Sequence, residues 1–374
     1  SLRRNEERSL WRYWPILPTK NRDHIQDLAV GWTPLYRNRG IADKYRLREV
    51  YIKDDGRNPT GSLKDRASAI AITRALDLGK TVVACSSTGN AASSLAGFAA
   101  VASLESFIFV PEAAPAAKIT QLLIYGSHVL LVKGDYRDAF KLSSQAIEQF
   151  GWYNRNCAIN PYLVEGKKTC GIEIAEQLDW EVPDWIFISV GDGCCISGVY
   201  KAFWDLMALG MVDRLPRIVG VQASGCRPIY EAFHSESRKP MDWKKANTLA
   251  DSIAVRAPAN WAKAMRAARK SGGDMIFVDD DEILDAMREL AQSTGVFGEP
   301  AGVAGFAGFR KAAQRGMFAP GDRVAVIVTG NGLKDISSAQ RSIGRPLTVA
   351  PDLNDLLCRM KEAGLSGLPE AGGL

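Results

Sequence analysis

Short runs of apolar, often β-branched residues alternate along this chain with longer stretches whose apolar positions recur at helical spacing. The runs at 81–85, 106–110, 128–132, 185–190, 217–222 and 323–328 predict buried strands. The stretches at 91–102, 116–125, 136–150, 196–210, 280–294 and 299–315 predict helices between them, with Pro111 and Pro115 marking one loop. Alternating strand and helix implies parallel sheets covered by helices on both faces. The polar segment 151–161, with Trp152, Asn154, Arg155 and Asn156, reads as a crossing between two units. Residues 1–50 and 340–374 carry weaker patterns and are expected to wrap the outside. The last 35 or so residues are too few for a regulatory domain.

Strand ends are where chemistry is expected, because ligands of open parallel sheets bind beyond the carboxyl ends of the strands. Three loops there are small and polar: Ser86-Ser87-Thr88-Gly89-Asn90, Gly191-Asp192-Gly193-Cys194-Cys195 and Thr329-Gly330-Asn331-Gly332. The second is either a phosphate cradle, glycine amides reinforced by the following helix, or plain turn chemistry. It is neither a Walker motif nor G-x-G-x-x-G. The first either holds a carboxylate or caps a helix. Asn90 offers an amide to an aromatic hydroxyl, and Thr329 either offers its hydroxyl to a heterocycle nitrogen or ends a strand.

Lys64 lies in Asn58-Pro-Thr-Gly-Ser-Leu-Lys-Asp-Arg66, just past a turn. The S-x-x-D spacing of Ser62 and Asp65 predicts a capping box and a helix start. A cation at the positive end of a helix is disfavoured, so the amine is expected to titrate low, which suits a nucleophile. The alternative is a solvated lysine on a first turn. A lysine, a phosphate cradle, a carboxylate loop and a terminal hydroxyl together are what pyridoxal phosphate chemistry requires.

These residues resemble the pyridoxal-phosphate enzymes of the tryptophan-synthase-β-like fold, fold type II, and among them the threonine synthases. The resemblance rests on Thr33-Pro34-Leu35, the Asn58–Arg66 stretch, Ser87-Thr-Gly-Asn90, Asn160-Pro-Tyr-Leu-Val-Glu-Gly-Lys-Lys-Thr169, Glu299-Pro-Ala301 and Thr329-Gly-Asn-Gly-Leu-Lys-Asp335, in the family's order over roughly residues 30–335. It implies an α/β fold of two domains, each an open, mostly parallel twisted sheet flanked by helices. Residues 1–66 and 161–374 would anchor the cofactor, and residues 67–160 would hold the substrate carboxylate.

It also implies residue roles. Lys64 would form the imine with pyridoxal 5'-phosphate and shuttle protons. Asn90 would meet the ring hydroxyl, and Thr329 the pyridine nitrogen. Gly191, Asp192, Gly193, Cys194 and Cys195 would cradle the cofactor phosphate, mostly through backbone. Ser87, Thr88 and Gly89 would hold the substrate carboxylate, and Asn160 and Lys167 lie where the distal phosphate of O-phospho-L-homoserine would be received. The implied reaction is γ-elimination of phosphate, then addition of water at the β-carbon to give L-threonine.

Three positions depart from the family pattern. Leu163 replaces an arginine that would grip a phosphate bidentately; Lys167, Lys168 or Arg155 would have to substitute. Cys194-Cys195 replace Gly-Asn in the cradle, and Asn331 replaces a histidine. Leu163 keeps open a threonine/serine dehydratase or a β-replacement enzyme for another O-phospho amino acid. A non-catalytic cofactor-binding homologue is a third reading, which Lys64 opposes.

Composition narrows the setting. The 374 residues are 46% hydrophobic and 24% charged, with a net charge of +5. Apart from Arg3, Arg4, Arg8 and Arg12, interleaved with Glu6 and Glu7, the basic residues are scattered, which argues against nucleic acid. No apolar run reaches membrane-span length, and the first residues lack the apolar core of a secretory signal. Seven cysteines without a C-x-x-C pair imply a reduced, cytoplasmic protein, and three scattered histidines argue against a metal. The expected partner is a small phosphorylated amino acid, and the resemblance implies a homodimer. Trp11 and Trp14 are expected to pack against the body.

Overall fold

A computed structural model describes residues 5–114, 116–236 and 239–365. Arg3, Arg4, Pro115 and the end of the 340–374 segment lie outside them. Ten strands form in chain order: β1 Leu35–Arg37, β2 Glu49–Asp54, β3 Val82–Ser86, β4 Glu105–Pro111, β5 His128–Val132, β6 Tyr153–Asn154, β7 Trp185–Ser189, β8 Arg217–Ala223, β9 Asp274–Val278 and β10 Arg323–Val328. They make a six-stranded sheet ordered β1-β2-β10-β7-β8-β9 and a four-stranded sheet ordered β5-β4-β3-β6. Every pairing is parallel except β1 with β2. The α/β architecture expected from the alternation is the one observed.

Strand periodicity explains why both faces of the larger sheet are covered. Val324, Val326 and Val328 point to one side, where Phe187, Val221, Phe306 and Phe309 form a core. Ala325 and Ile327 point to the other, against Ile186, Ile188, Cys170, Val199 and Phe203. Each fully buried side chain of this size contributes about 1.5–3 kcal/mol, so two apolar faces hold this sheet between helix layers.

The order of the strands sets the site. In the larger sheet the chain runs β7-β8-β9 in one direction, then β10 returns to lie between β7 and β2. The loops after β7 and β10 therefore leave side by side at a topological switch point. The small sheet repeats the device, because β4 and β5 lie to one side of β3 and β6 to the other. Its β3 and β6 loops also emerge together. Segment 151–161 thus does two things: it supplies β6 to the small sheet and then leads into the Tyr162–Gln177 helix.

The Lys64–Asp77 helix starts where the sequence predicted, but not by a capping box. Leu63 is the cap and gives no side-chain bond. The Asp65 carboxylate is buried and turns back to accept the Thr60 N–H at 2.6 Å and the Thr60 hydroxyl at 2.5 Å. It closes the preceding turn, in which Gly61 has a φ of +82°, instead of reaching the Ser62 N–H.

A buried charge frame fixes this helix. The Arg66 guanidinium donates to Asp55 at 2.7 and 2.8 Å and to Glu173 at 2.5 and 2.7 Å. Lys53 reaches Glu173 at 2.7 Å. The four side chains are two cations and two anions, all fully buried. They tie β2, the Lys64–Asp77 helix and the Tyr162–Gln177 helix together. The two helices meet backbone to backbone, since a Cβ at Gly166 would lie 2.1 Å from the Arg66 carbonyl oxygen.

The amino-terminal segment packs within the molecule and does not merely wrap it. Leu10, Trp11 and Tyr13 are buried, and Arg12 pairs with Glu176 at 2.6 Å. The Leu353–Glu362 helix, which has no buried residue, does lie on the outside. Among the described residues no helix is long and apolar enough to cross a membrane.

Burial alone would raise the Glu173 carboxyl, but Arg66 and Lys53 hold it down to about 2, against an ordinary 4.5. A depressed folded pKa gives stability that is fully present above the unfolded value and lost as pH falls toward the folded one. Denaturant midpoints should therefore lose the Glu173 contribution between pH 4.5 and about 2. Glu173→Gln should flatten that part of the profile and cost about 3–5 kcal/mol at neutral pH, because it leaves buried cations underpaired.

Candidate active site

Lys64 is the first residue of its helix and is half-buried. Its Nζ lies 3.9 Å from Cys195 Sγ, on the first turn of the Cys194–Ala208 helix. The predicted amine and the predicted cradle are thus neighbours. Thr329 joins them through backbone: its carbonyl accepts the Leu63 N–H at 2.9 Å, and Ser62 bridges Gly330. The loop after β10 is in this way laced to the turn that carries Lys64.

The cradle is shaped by a backbone that only glycine allows. Gly193 has a φ of +102°, and a Cβ there would lie 2.7 Å from the Asn260 carbonyl oxygen. The helix that follows leaves its first N–H groups without partners inside the helix, the usual setting for an anion. The Asp192 carboxylate is committed elsewhere, accepting the Ala259 N–H at 2.7 Å and the Asn260 amide at 2.5 Å. Asn260 also donates to the Cys157 carbonyl at 3.1 Å, so it pins the cradle loop to the crossing segment.

On the other side of Lys64, Ser87, Thr88 and Gly89 form the half-buried β3 loop. Thr88, Gly89 and Asn90 line a cleft with Lys118, Glu299 and Lys334. Asn90 donates to Glu299 Oε1 at 2.6 Å. Burial pushes the Glu299 carboxyl up, although Lys334 and Lys64 pull it down. Burial pushes the Lys334 amine down, although Glu299 and Asp65 pull it up. The cleft therefore carries an acid and an amine that burial drives toward their neutral forms.

The region of the missing arginine is built differently from its expected substitutes. Leu163 is fully buried in the apolar core. Lys168 is held by Glu165 at 2.7 Å and Asp205 at 2.8 Å. Arg155 is buried as a prop, donating to Ser68 at 3.1 Å and to the Lys64 carbonyl at 3.3 Å. Lys167 stays beside the cradle with its Nζ 3.1 Å from Cys157 Sγ. Burial lowers the Lys167 amine, but the nearby Cys157, Cys194 and Cys195 sulfurs raise it further, so it remains charged. Asn160 spends its amide locally, donating to Asn154 O at 2.8 Å and accepting the Tyr162 N–H at 3.0 Å.

Glu299, Lys334, Arg155, Cys157 and Asn260 were not singled out for these positions by sequence reasoning. Glu299 preceded by glycine and followed by Pro300 did mark a helix start, but its contact with Asn90 spans 209 residues. Gly193→Ala is expected to destabilise by about 1–3 kcal/mol in chemical denaturation, because strain and a clash with Asn260 add. Gly210→Ala, with a φ of +67° and nothing within 4 Å, should cost only the strain, about 1 kcal/mol.

A family model described as pyridoxal-phosphate dependent enzyme matches residues 26–330. The chain is 38% identical over 360 residues to the threonine synthase of Methanocaldococcus jannaschii, covering 96% of this chain and 89% of that protein. It is 40% identical over 328 residues to the threonine synthase of Methanosarcina acetivorans, covering 87% and 80%. Among solved structures, the processed form of threonine deaminase isoform 2 from Solanum lycopersicum superposes with a TM-score of 0.70 at 21% identity, over 89% of this chain and 83% of that one. At that identity the likeness establishes the fold alone. The chain belongs to the pyridoxal-phosphate-dependent enzymes of fold type II and, within them, to the threonine synthase family.

Proposed function

We propose that this protein is a threonine synthase, converting O-phospho-L-homoserine and water to L-threonine and phosphate. The observation that carries the reading is the Lys64 amine 3.9 Å from the first turn of the helix after Gly191–Gly193. The donor set fits pyridoxal 5'-phosphate: an amine for the aldehyde, glycine-turn amides for the phosphate and a hydroxyl near the amine's helix. Ser86 Oγ and Asn156 Nδ2, buried at the end of β3 and in the crossing segment without a protein partner, add unspent polar groups beside it.

When bound, the cofactor supplies a ring that withdraws electrons from the substrate's α-carbon. The chain's residues then divide the work. Gly191, Asp192, Gly193, Cys194 and Cys195 would hold the phosphate through backbone N–H groups. Lys64 would hold the cofactor through its Nζ and carry protons on that atom. Ser87, Thr88 and Gly89 orient the substrate carboxylate, so that the bond to be broken lines up with the ring. Asn90 has a second amide hydrogen for the ring hydroxyl beyond the one given to Glu299. Thr329, a neutral partner for the ring nitrogen, does not enforce its protonation, which favours expulsion of a leaving group. Lys167 is the cation for the distal phosphate, with Asn160 shaping the segment that bears it.

The two separate sheets support the division that the resemblance implies. We assign residues 1–66 and 161–374 to the cofactor-anchoring unit and residues 67–160 to the unit that holds the carboxylate. A homodimer and a cytoplasmic setting complete the reading; seven free cysteines support the latter.

Leu163 favours a second reading, a dehydratase or β-replacement enzyme for another amino acid, since the bidentate phosphate grip is absent. Purified protein should be yellow, and borohydride should fix the cofactor on the Lys64 peptide. O-phosphohomoserine should yield phosphate and threonine in equal amounts; 2-oxobutanoate from threonine as the only product would establish the second reading instead. Lys64→Ala should lower turnover by roughly three orders of magnitude or more. Retained activity would refute both.

A further inference from the structure

Three cysteine sulfurs meet where the crossing segment faces the start of the Cys194–Ala208 helix. Cys157 is half-buried, with its sulfur 3.1 Å from Lys167 Nζ and 3.5 Å from Arg155 Nη1. Cys194 is buried, and its thiol donates to the Cys157 carbonyl oxygen at 3.6 Å. Cys195, next along the helix, turns toward Lys64. The reaction proposed above uses none of these sulfurs.

The environments of Cys157 and Cys194 differ in kind. Two cationic side chains touch the Cys157 sulfur, which favours the thiolate, the reactive form of cysteine. The nearby Cys194 thiol, opposed by burial and aided by Lys167 and Arg155, draws the Cys157 thiol well below its usual range. The nearness of Cys157 and burial push Cys194 up. At nearby Cys85 burial outweighs the pull of Arg155 and pushes the thiol up to about 12. The site thus sets one sulfur, flanked by two cations, beside a second, buried sulfur that reaches the same residue's carbonyl, the arrangement of an attacking and a resolving cysteine.

We propose that Cys157 and Cys194 form a reversible oxidation site for hydroperoxides. The Cys157 sulfur attacks one peroxide oxygen and the O–O bond breaks. The departing oxygen takes up a proton and leaves as water, and Cys157 becomes a sulfenic acid. The Cys194 sulfur then attacks the Cys157 sulfur, the S–O bond breaks, and the hydroxyl leaves as a second water with the Cys194 proton. In sum, two thiols lose two electrons and one hydrogen peroxide becomes two waters. A small dithiol reverses the bond by exchange, ending as its own disulfide. The new bond would fasten the first residue of the cradle helix to the crossing segment.

The test uses the holoenzyme and reads peptide masses, so it does not depend on which amino acid is the substrate or on turnover. Protein exposed to hydrogen peroxide is quenched by alkylation and digested without reductant. A peptide joining Cys157 to Cys194, lighter by two hydrogens, should appear at least about 10-fold faster than oxidation of the exposed Cys358. Dithiothreitol should restore both thiols. Cys194→Ser should accumulate a sulfenic acid on Cys157 that a dimedone probe captures. If Cys358 is oxidised first, or if Cys194 stays fully alkylatable while Cys157 is consumed in the wild-type protein, the proposal is overturned.

Discussion

The burial of Arg66 between two carboxylates is the constraint on which the rest of this molecule depends. The guanidinium stands two residues past Lys64 and spends its donors on Asp55, at the end of β2, and Glu173, in the middle of the Tyr162–Gln177 helix. An unpaired charge at that depth would cost several kcal/mol, so the three elements are held in one arrangement or not at all. That arrangement aims the amine of Lys64. Arg155 adds the second constraint by holding the Lys64 carbonyl from below. Lys64 is therefore placed by two buried cations, Arg66 and Arg155.

Around that fixed point the site is assembled from two switch points facing each other. The loops after β7 and β10 bring Gly191–Gly193 and Thr329. The loops after β3 and β6 bring Ser87–Gly89 and the crossing segment. Charge is distributed unevenly between them. On the Asn90 side, Glu299 and Lys334 are driven toward neutrality by burial. On the cradle side, Lys167 keeps its charge because sulfurs stand beside it.

Much of this was legible before the fold was known. The 128–132 strand, the 136–150 and 280–294 helices and the 323–328 strand coincide with the observed elements, since each is bounded by turn residues and has an unbroken period. The strand-end loops were found by a topological rule that needs only the order of elements. Other features left no local trace. The Tyr162–Gln177 helix buries Lys167, Lys168 and Glu173, so charged residues interrupt the period that would announce it. Strand β2 has the same difficulty, with Lys53 and Asp54 buried at its end. The spacing of Ser62 and Asp65 is compatible with a capping box and equally with a carboxylate closing a turn, and only burial decides for the turn. Arg155 and Asn260 act across 87 and 103 residues, distances at which sequence pattern is silent.

The closeness of Gly166 to Arg66 sets two neighbouring turns of one helix apart. Position 166 admits no side chain, because any would displace the backbone beneath the lysine. Leu163, one turn earlier on the same helix, is buried in the apolar core. A substitution at 163 is therefore met first by neighbouring apolar side chains, whereas one at 166 is met first by the backbone that leads out of Lys64.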